Sequence, residues 1–266
     1  MRGIQVILVC WLWAALAGQS HASAWNPEAG QGEVITAFVL SEADEAVDDV
    51  GVVVPLDTYQ KRISQTFATI GLTDRIAAVG TFDWQDTEIV GDGVDVSFSK
   101  PSTLSAGLQY QLSRREGHAL AISASYTAGI DLPDALLTVD SRKDAVELRG
   151  LWGESRTVMG RNAFAEVQLA ARMERGGRYA GTQAQLSVGA EPTDSLLLLA
   201  KGRFTQVESG TFEGRAVPEQ RRWELDASAV WRVGGTTRIE LGYGGVVSAR
   251  SAVRERGVKI GLWKRF

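Results

Sequence analysis

The amino-acid sequence predicts an all-β fold: a transmembrane, up-and-down antiparallel β-barrel of about 12 strands, preceded by a cleaved signal peptide. Three observations predict it. The N-terminus has the form of a secretory leader, hydrophobicity alternates with period two through most of the remaining chain, and short turns rotate with longer connections. Composition narrows the field from the other side. With 266 residues, 44% hydrophobic and 23% charged, the chain is long enough for one large domain and too apolar for disorder. A formal net charge of −4 leaves no basic surface suited to nucleic acid.

The leader comes first. Met1–Ala24 carries one early cation (Arg2), an apolar run from Ile4 to Ala17, and Ala22-Ser23-Ala24 as a small-residue cleavage site. It reads as a signal peptide over 1–24, cut after Ala24, with 25–266 as a single barrel domain. The alternative is a membrane anchor, which the run is too short to make comfortably. Cys10 follows Val9 inside the apolar run rather than a small residue, which argues against lipidation, and the mature chain then holds no cysteine. No later stretch approaches the roughly 18 apolar residues of a membrane helix. An exported chain of this kind is soluble outside the inner membrane or an outer-membrane barrel.

The strands follow. Ala163, Ala165, Val167, Leu169, Ala171 and Met173 alternate with Phe164, Glu166, Gln168, Ala170 and Arg172. Ala184, Leu186, Val188 and Ala190 alternate with Gln183, Gln185, Ser187, Gly189 and Glu191. Trp223, Leu225, Ala227, Ala229 and Trp231 alternate with Arg222, Glu224, Asp226, Ser228 and Arg232. Strict alternation places one face apolar and one polar, as a strand requires and a helix does not. The pattern recurs at Leu104–Leu112, Leu120–Tyr126, Ile239–Tyr243 and Val258–Leu262. Spread over the chain it gives about 12 strands, at roughly 20 residues per strand plus connection.

Short turns are expected at Thr73-Asp74, Ser113–Gly117, Ser155–Gly160, Pro192–Asp194 and Gly234-Gly235. Longer connections are expected at Glu42–Asp57, Asp86–Thr103, Gly129–Arg142, Glu208–Glu219 and Ala249–Glu255, with Glu174–Arg178 brief. Short periplasmic turns and longer outward loops are the habit of bacterial barrels, and an even strand number leaves both chain ends in the periplasm. A secreted β-sandwich also alternates. Against it stand candidate strands of about 10 to 13 residues, where five or six is usual. Aromatic residues also gather near strand ends on the apolar face: Phe82, Trp84, Tyr126, Phe204 and Trp223 toward the loops, Tyr110, Trp152, Trp231 and Phe266 toward the turns. Two such girdles are expected of a lipid-facing wall.

The last strand ends on Phe266, with Val258, Ile260 and Leu262 on the same face. A terminal strand closing on an aromatic residue resembles the assembly signal of bacterial outer-membrane barrels. Lys264 departs from ideal alternation at a rim position where its ammonium can snorkel. The start of the mature chain, Trp25-Asn26-Pro27-Glu28-Ala29-Gly30-Gln31-Gly32-Glu33-Val34-Ile35, and the corner Ile70-Gly71-Leu72-Thr73-Asp74-Arg75-Ile76, with a degenerate echo at Ala190–Leu196, resemble a proteobacterial outer-membrane family. That family is grouped with MetA-type phenol-degradation and XagA-type surface-attachment proteins. The resemblance implies an outer-membrane barrel serving transport or exopolysaccharide export, and it carries no catalytic residue.

Catalytic constellations are sparse. His21 leaves with the leader, so His118, beside the expected Arg114–Gly117 turn, is the remaining imidazole and reads as a turn residue. A Ser-His hydrolase needs an imidazole beside its nucleophile, and the expectation is that the chain is not an enzyme. Glu224 and Asp226, two apart on one strand, read as members of an internal ladder, and Gly234-Gly235 as a hairpin turn. No metal and no cofactor is expected. The acidic first loop (Glu42, Asp44, Glu45, Asp48, Asp49) reads as a solvated surface, with a cation bridge to lipopolysaccharide phosphates as the alternative.

The polar face is the richer object. Directed inward, it presents Glu147 and Arg149, Glu166 and Arg172, Lys201 and Arg203, Glu224 and Asp226, Arg238 and Glu240, and Lys259 on successive strands. In a low-dielectric lumen these charges have to pair. Packed ladders would close the barrel, and the same ladders lining water would make a pore for polar or zwitterionic solutes. Two functions follow as expectations: passage of a polar solute or an exopolysaccharide through the lumen, or a closed surface-attachment barrel. Expected partners are outer-membrane lipids and lipopolysaccharide, the barrel-assembly machinery and an exopolysaccharide, and no nucleic acid.

Overall fold

The structure, a computed structural model, describes residues 23–91, 94–128, 144–174, 179–212 and 215–266. Most of the expected leader, all of the Gly129–Arg142 connection and nearly all of Glu174–Arg178 lie outside the described residues.

The strands in chain order are β1 (Gly32–Glu42), β2 (Glu45–Val47), β3 (Val53–Pro55), β4 (Thr58–Gly71), β5 (Ile76–Gly91), β6 (Val94–Arg115), β7 (His118–Thr127), β8 (Ala145–Val158), β9 (Arg161–Glu174), β10 (Tyr179–Thr193), β11 (Leu196–Val207), β12 (Gly210–Phe212), β13 (Arg215–Val217), β14 (Gln220–Gly234), β15 (Thr237–Arg250), β16 (Ala252–Val253) and β17 (Arg256–Arg265). Twelve of them close a barrel in the order β1-β17-β15-β14-β11-β10-β9-β8-β7-β6-β5-β4, with β4 returning to β1. Each neighbouring pair is antiparallel, so the meander is strictly up and down, as the alternation predicts. Closure removes the unpaired edges that an open sheet would present.

The predicted apolar faces point outward. Leu104, Leu108, Leu169, Leu186, Leu225, Leu241 and Ile260 are each about half exposed, and they come from strands all around the wall. An apolar belt of this extent would drive aggregation in water and is the stable arrangement against hydrocarbon. Phe82, Trp84, Tyr126 and Trp223 stand exposed toward the loops, and Tyr110, Trp152, Trp231 and Phe266 toward the turns. Phe204 packs on Trp223 with ring centroids 4.8 Å apart.

Turn chemistry sets the narrow end. Val158 pairs with Arg161 across a two-residue connection in which Met159 and Gly160 both have positive φ, 51° and 75°. That is the mirror-image turn whose twist matches paired strands, and glycine at its second position avoids the Cβ penalty. Two turns expected to span five or six residues are shorter, because Ser113–Arg115 and Ser155–Val158 continue their strands.

The wide end differs more. Asp86–Thr103, expected as a loop, is instead an extended hairpin in which Asp86 pairs with Ser99 and Glu88 with Ser97. Beyond the membrane both faces of such a hairpin meet water, so the alternation that marks a strand disappears. The first and last connections meet in a three-stranded sheet of order β16-β2-β3. There Ser251 N donates to Asp48 O at 3.0 Å, and Arg254 reaches Glu45 at 2.7 Å. The acidic first loop is therefore paired: Arg256 stands 3.4 Å from Glu42 and 3.5 Å from Asp44, and Asp48 Oδ1 accepts from Val50 N and Val52 N. Among the described residues no acidic cluster could hold a metal ion.

Candidate functional site

All eleven charged residues expected on the inner face are there by strand parity: Glu147 and Arg149 on β8, Glu166 and Arg172 on β9, Lys201 and Arg203 on β11, Glu224 and Asp226 on β14, Arg238 and Glu240 on β15, and Lys259 on β17. They do not form one continuous ladder. The lumen has three tiers.

The tier nearest the turns is apolar and holds a segment of the chain itself. Ile35, Phe67, Leu151, Leu197, Leu199, Val230 and Trp263 turn inward and bury one another together with Ala24. Across them lies an N-terminal strap, Ser23–Asn26. Gln111 on β6 accepts from Asn26 N at 2.9 Å and donates to Ala24 O at 2.9 Å, the same pair of bonds a neighbouring strand would supply. Gln109 donates to Ser23 O at 2.7 Å and to Asn26 Oδ1 at 2.8 Å. Asn26 Nδ2 donates to Arg75 O at 2.9 Å. Buried backbone polar groups need such partners, and side chains supply them where no strand runs alongside. The Trp25 ring lies over Gly153, where a Cβ would come within 2.4 Å of it.

The two segments that carry the family resemblance touch. Ala29 bridges Gly71, Gly30 N donates to Gly71 O at 2.9 Å, and Gly71 N donates to Gln31 O at 2.9 Å. A Cβ on Gly71 would stand 2.2 Å from Glu28 O, so only glycine allows the strap to enter here.

The middle tier is a polar network. Arg149 donates to Glu147 at 2.6 Å, Gln168 at 2.7 Å and Gln183 at 3.0 Å. Gln168 in turn donates to Glu166 Oε1 at 2.6 Å, while Glu166 Oε2 accepts from Ala24 N at 2.8 Å. Glu166 therefore meets the strap rather than Arg172, which sits opposite Glu147 in register.

The tier toward the loops is ionic. Arg203 Nη1 donates to Glu224 Oε2 at 2.8 Å, and Arg222 Nε stands 2.8 Å from Glu224 Oε1, so one carboxylate bridges two guanidinium groups. Lys259 pairs with Glu240 at 2.5 Å, and the other Glu240 oxygen accepts from Trp263 Nε1 at 2.9 Å. Lys61 pairs with Glu255, both buried. Asp226 lies over Gly244, where a Cβ would clash with its Oδ1. Lys201 is opposite Asp226 in register, and Arg238 is 3.8 Å from Glu191 near the turns.

Cavities open between these tiers among the described residues. One of about 550 Å³ opens toward the turns between Trp25, Phe164, Leu199 and Trp263, with Arg232 and Arg238 in its wall. A smaller one of about 80 Å³ lies at the ionic tier, lined by Arg203, Arg222, Glu224, Asp226, Lys259 and Glu255.

The sequence reading missed Lys61, Arg222, Glu255 and the glutamines that hold the strap. Extending the alternation through Tyr59, Lys61, Ile63, Gln65 and Phe67 finds Lys61, and the alternation on β14 already carried Arg222. No local pattern marks Gln109 or Gln111, whose partners are more than 80 residues away.

No protein-family model matches the chain, and no curated protein does. Solved structures match its fold. An outer membrane channel from Pseudomonas putida F1 is 14% identical, with a TM-score of 0.73 over 91% of this chain and 98% of its own. The translocator domain of the autotransporter NalP from Neisseria meningitidis is 12% identical, with a TM-score of 0.56 over 100% of this chain and 95% of its own. The NanC porin is 5% identical, with a TM-score of 0.53 over 86% and 98%. The shared feature is the outer-membrane β-barrel fold.

The expectation that the chain is not an enzyme is corrected. The lumen itself undoes the argument from histidine. His118 is exposed at the turn-side rim, but Glu166, Glu224, Asp226 and Glu240 face the interior, and carboxylates do acid–base chemistry without imidazole. A histidine count excludes nothing here.

Proposed function

We propose that the protein stands in the outer membrane with both termini and the short turns in the periplasm, and passes a small polar solute through its charged lumen. The observation that carries this reading is the ionic tier, where the Arg203–Glu224–Arg222 bridge and the Lys259–Glu240 pair surround an internal cavity. Charges inside a protein are costly, and a packed apolar filling would be the more stable interior. Opposite charges interleaved on neighbouring strands suit a solute that carries both signs or exchanges one partner for another. The fold likeness to a channel and a porin supports a conduit of this kind. Outer-membrane lipids and lipopolysaccharide would bound the wall, and the barrel-assembly machinery would read the Val258, Ile260, Leu262 and Phe266 face of β17.

The proposed solute is small. A polysaccharide strand would have to displace both the strap and the ionic bridges, and the family link to phenol degradation or surface attachment rests on the strap and corner motifs alone. One observation favours a second reading, a closed surface-attachment barrel: the strap Ser23–Asn26 is hydrogen-bonded across the turn-side lumen. Planar-bilayer recording separates the two. Single-channel current whose ion preference changes in Arg203→Glu supports the conduit, and no current from correctly folded protein supports the closed barrel.

A further inference from the structure

We propose that the ionic tier contains an oxyanion-binding site centred on Arg203, selective for a solute carrying a carboxylate or phosphate group. This deepens the conduit reading and rests on it for its role.

Arg203 is 2% exposed and lines the smaller cavity. Its Nη1 is committed to Glu224, and its Nε faces Gln185 Oε1 at a long 3.5 Å. Its Nη2 is buried and has no acceptor among the described residues. A buried guanidinium N–H without an acceptor is costly, and a charge-assisted bond to an anionic oxygen is the strong remedy.

Local charge points the same way. On the wall formed by β4, β1, β17, β15, β14 and β11, Lys61, Arg203, Arg222, Lys259 and Lys201 are five cations. Interleaved with them are Glu224, Glu240, Asp226 and Glu255, four carboxylates. The carboxylates are also already engaged: Glu224 by two guanidinium groups, Glu240 by Lys259 and Trp263, and Glu255 by Lys61. Asp226 is turned over Gly244. One anionic oxygen at Nη2 would complete the Arg203 fork. The cavity of about 80 Å³ admits a single small head group, so the remainder of a larger solute would extend along the lumen.

The test uses full-length protein folded in an uncharged detergent. The probes are inorganic phosphate, followed by phosphorus NMR line width, and carbon-labelled acetate, followed by carbon NMR line width. Broadening of either probe is expected, and which probe broadens identifies the preferred head group. Arg203→Gln should weaken the effect about tenfold or more, the loss of one charge-assisted hydrogen bond. Asp226→Asn, which removes a carboxylate without touching Arg203, should strengthen it severalfold. Absence of broadening in the natural sequence, or equal broadening in folded Arg203→Gln, overturns the site. If Arg203→Gln does not fold, the Asp226→Asn comparison decides, and unchanged broadening there overturns it. Bilayer currents separate this inference from the conduit. Current with no anion preference and no broadening removes the site alone, whereas Arg203-dependent broadening without current removes the conduit and keeps the site.

Discussion

Arg203 on β11 and Glu224 on β14 face each other in register and are joined by a 2.8 Å bond, with side-chain exposures of 2% and 14%. Glu224 is the more heavily used partner, because Arg222 shares it. Removing the carboxylate strands two guanidinium groups, whereas removing Arg203 still leaves Glu224 with Arg222. Glu224→Gln should therefore cost about 3–5 kcal/mol and Arg203→Met distinctly less. Urea unfolding in lipid vesicles measures both, and equal losses would show that Arg222 does not hold the carboxylate once Arg203 is gone.

The strap should yield to crowding. A Cβ at Gly153 would land 2.4 Å from the Trp25 ring and 3.0 Å from Ala24 Cβ, so Gly153→Val should lift the strap off the wall. Ala121 is fully buried beneath this layer. In an Ala121→Cys background, labelling by a water-soluble thiol reagent is expected to be slow, and to accelerate at least tenfold when Gly153→Val is added. The expected processed chain has no other cysteine, which makes the readout specific.

Cleavage after Ala24 would convert Trp25 N into an α-ammonium one residue from the amide that Glu166 now holds. Glu166 is buried and accepts hydrogen bonds from Gln168 and from the Ala24 amide, both neutral donors, so a cation there adds a charged partner to a costly buried carboxylate. Mass spectrometry should find Trp25 as the first residue. Its amine should react slowly with an acylating reagent in the natural sequence and several times faster in Glu166→Gln. A first residue elsewhere would remove the basis for this pairing.

The outer wall should reject charge according to depth. Leu225 is half exposed on the lipid face near the middle of β14, and Val233 is exposed near its turn end. Leu225→Arg should cost about 2–4 kcal/mol, and Val233→Arg about 0–1 kcal/mol. Folding titrations into bilayers provide the comparison. Equal costs at the two positions would contradict a hydrocarbon boundary at this wall.

The architecture was readable because lipid enforces alternation residue by residue: Trp223–Trp231 and Val258–Leu262 could not change parity without placing charge in hydrocarbon. The charged inner set was readable for the same reason. Where that constraint lapses, so does the signal. The β5–β6 hairpin beyond Asp86 has water on both faces and reads as loop. Leu196-Leu197-Leu198-Leu199 is apolar on both faces, because Leu197 and Leu199 pack inward against the turn-side core, so no alternation shows which leucines face lipid. Glu166 has inner-face parity in the sequence, but its partner is a backbone amide 142 residues earlier, a contact that exists only once the barrel has rolled up.

The ring closes between β1 and β17, where Gly32 and Phe266 exchange backbone hydrogen bonds of 2.9 and 3.0 Å and Glu33 lies opposite Arg265. The first barrel strand to be synthesised must therefore wait for the last before its outer edge is satisfied. Until then the nascent sheet carries two open margins, each able to recruit a stranger. Its final seam spans nearly the whole polypeptide, which makes assembly intrinsically slow and gives an escorting factor its natural point of grip.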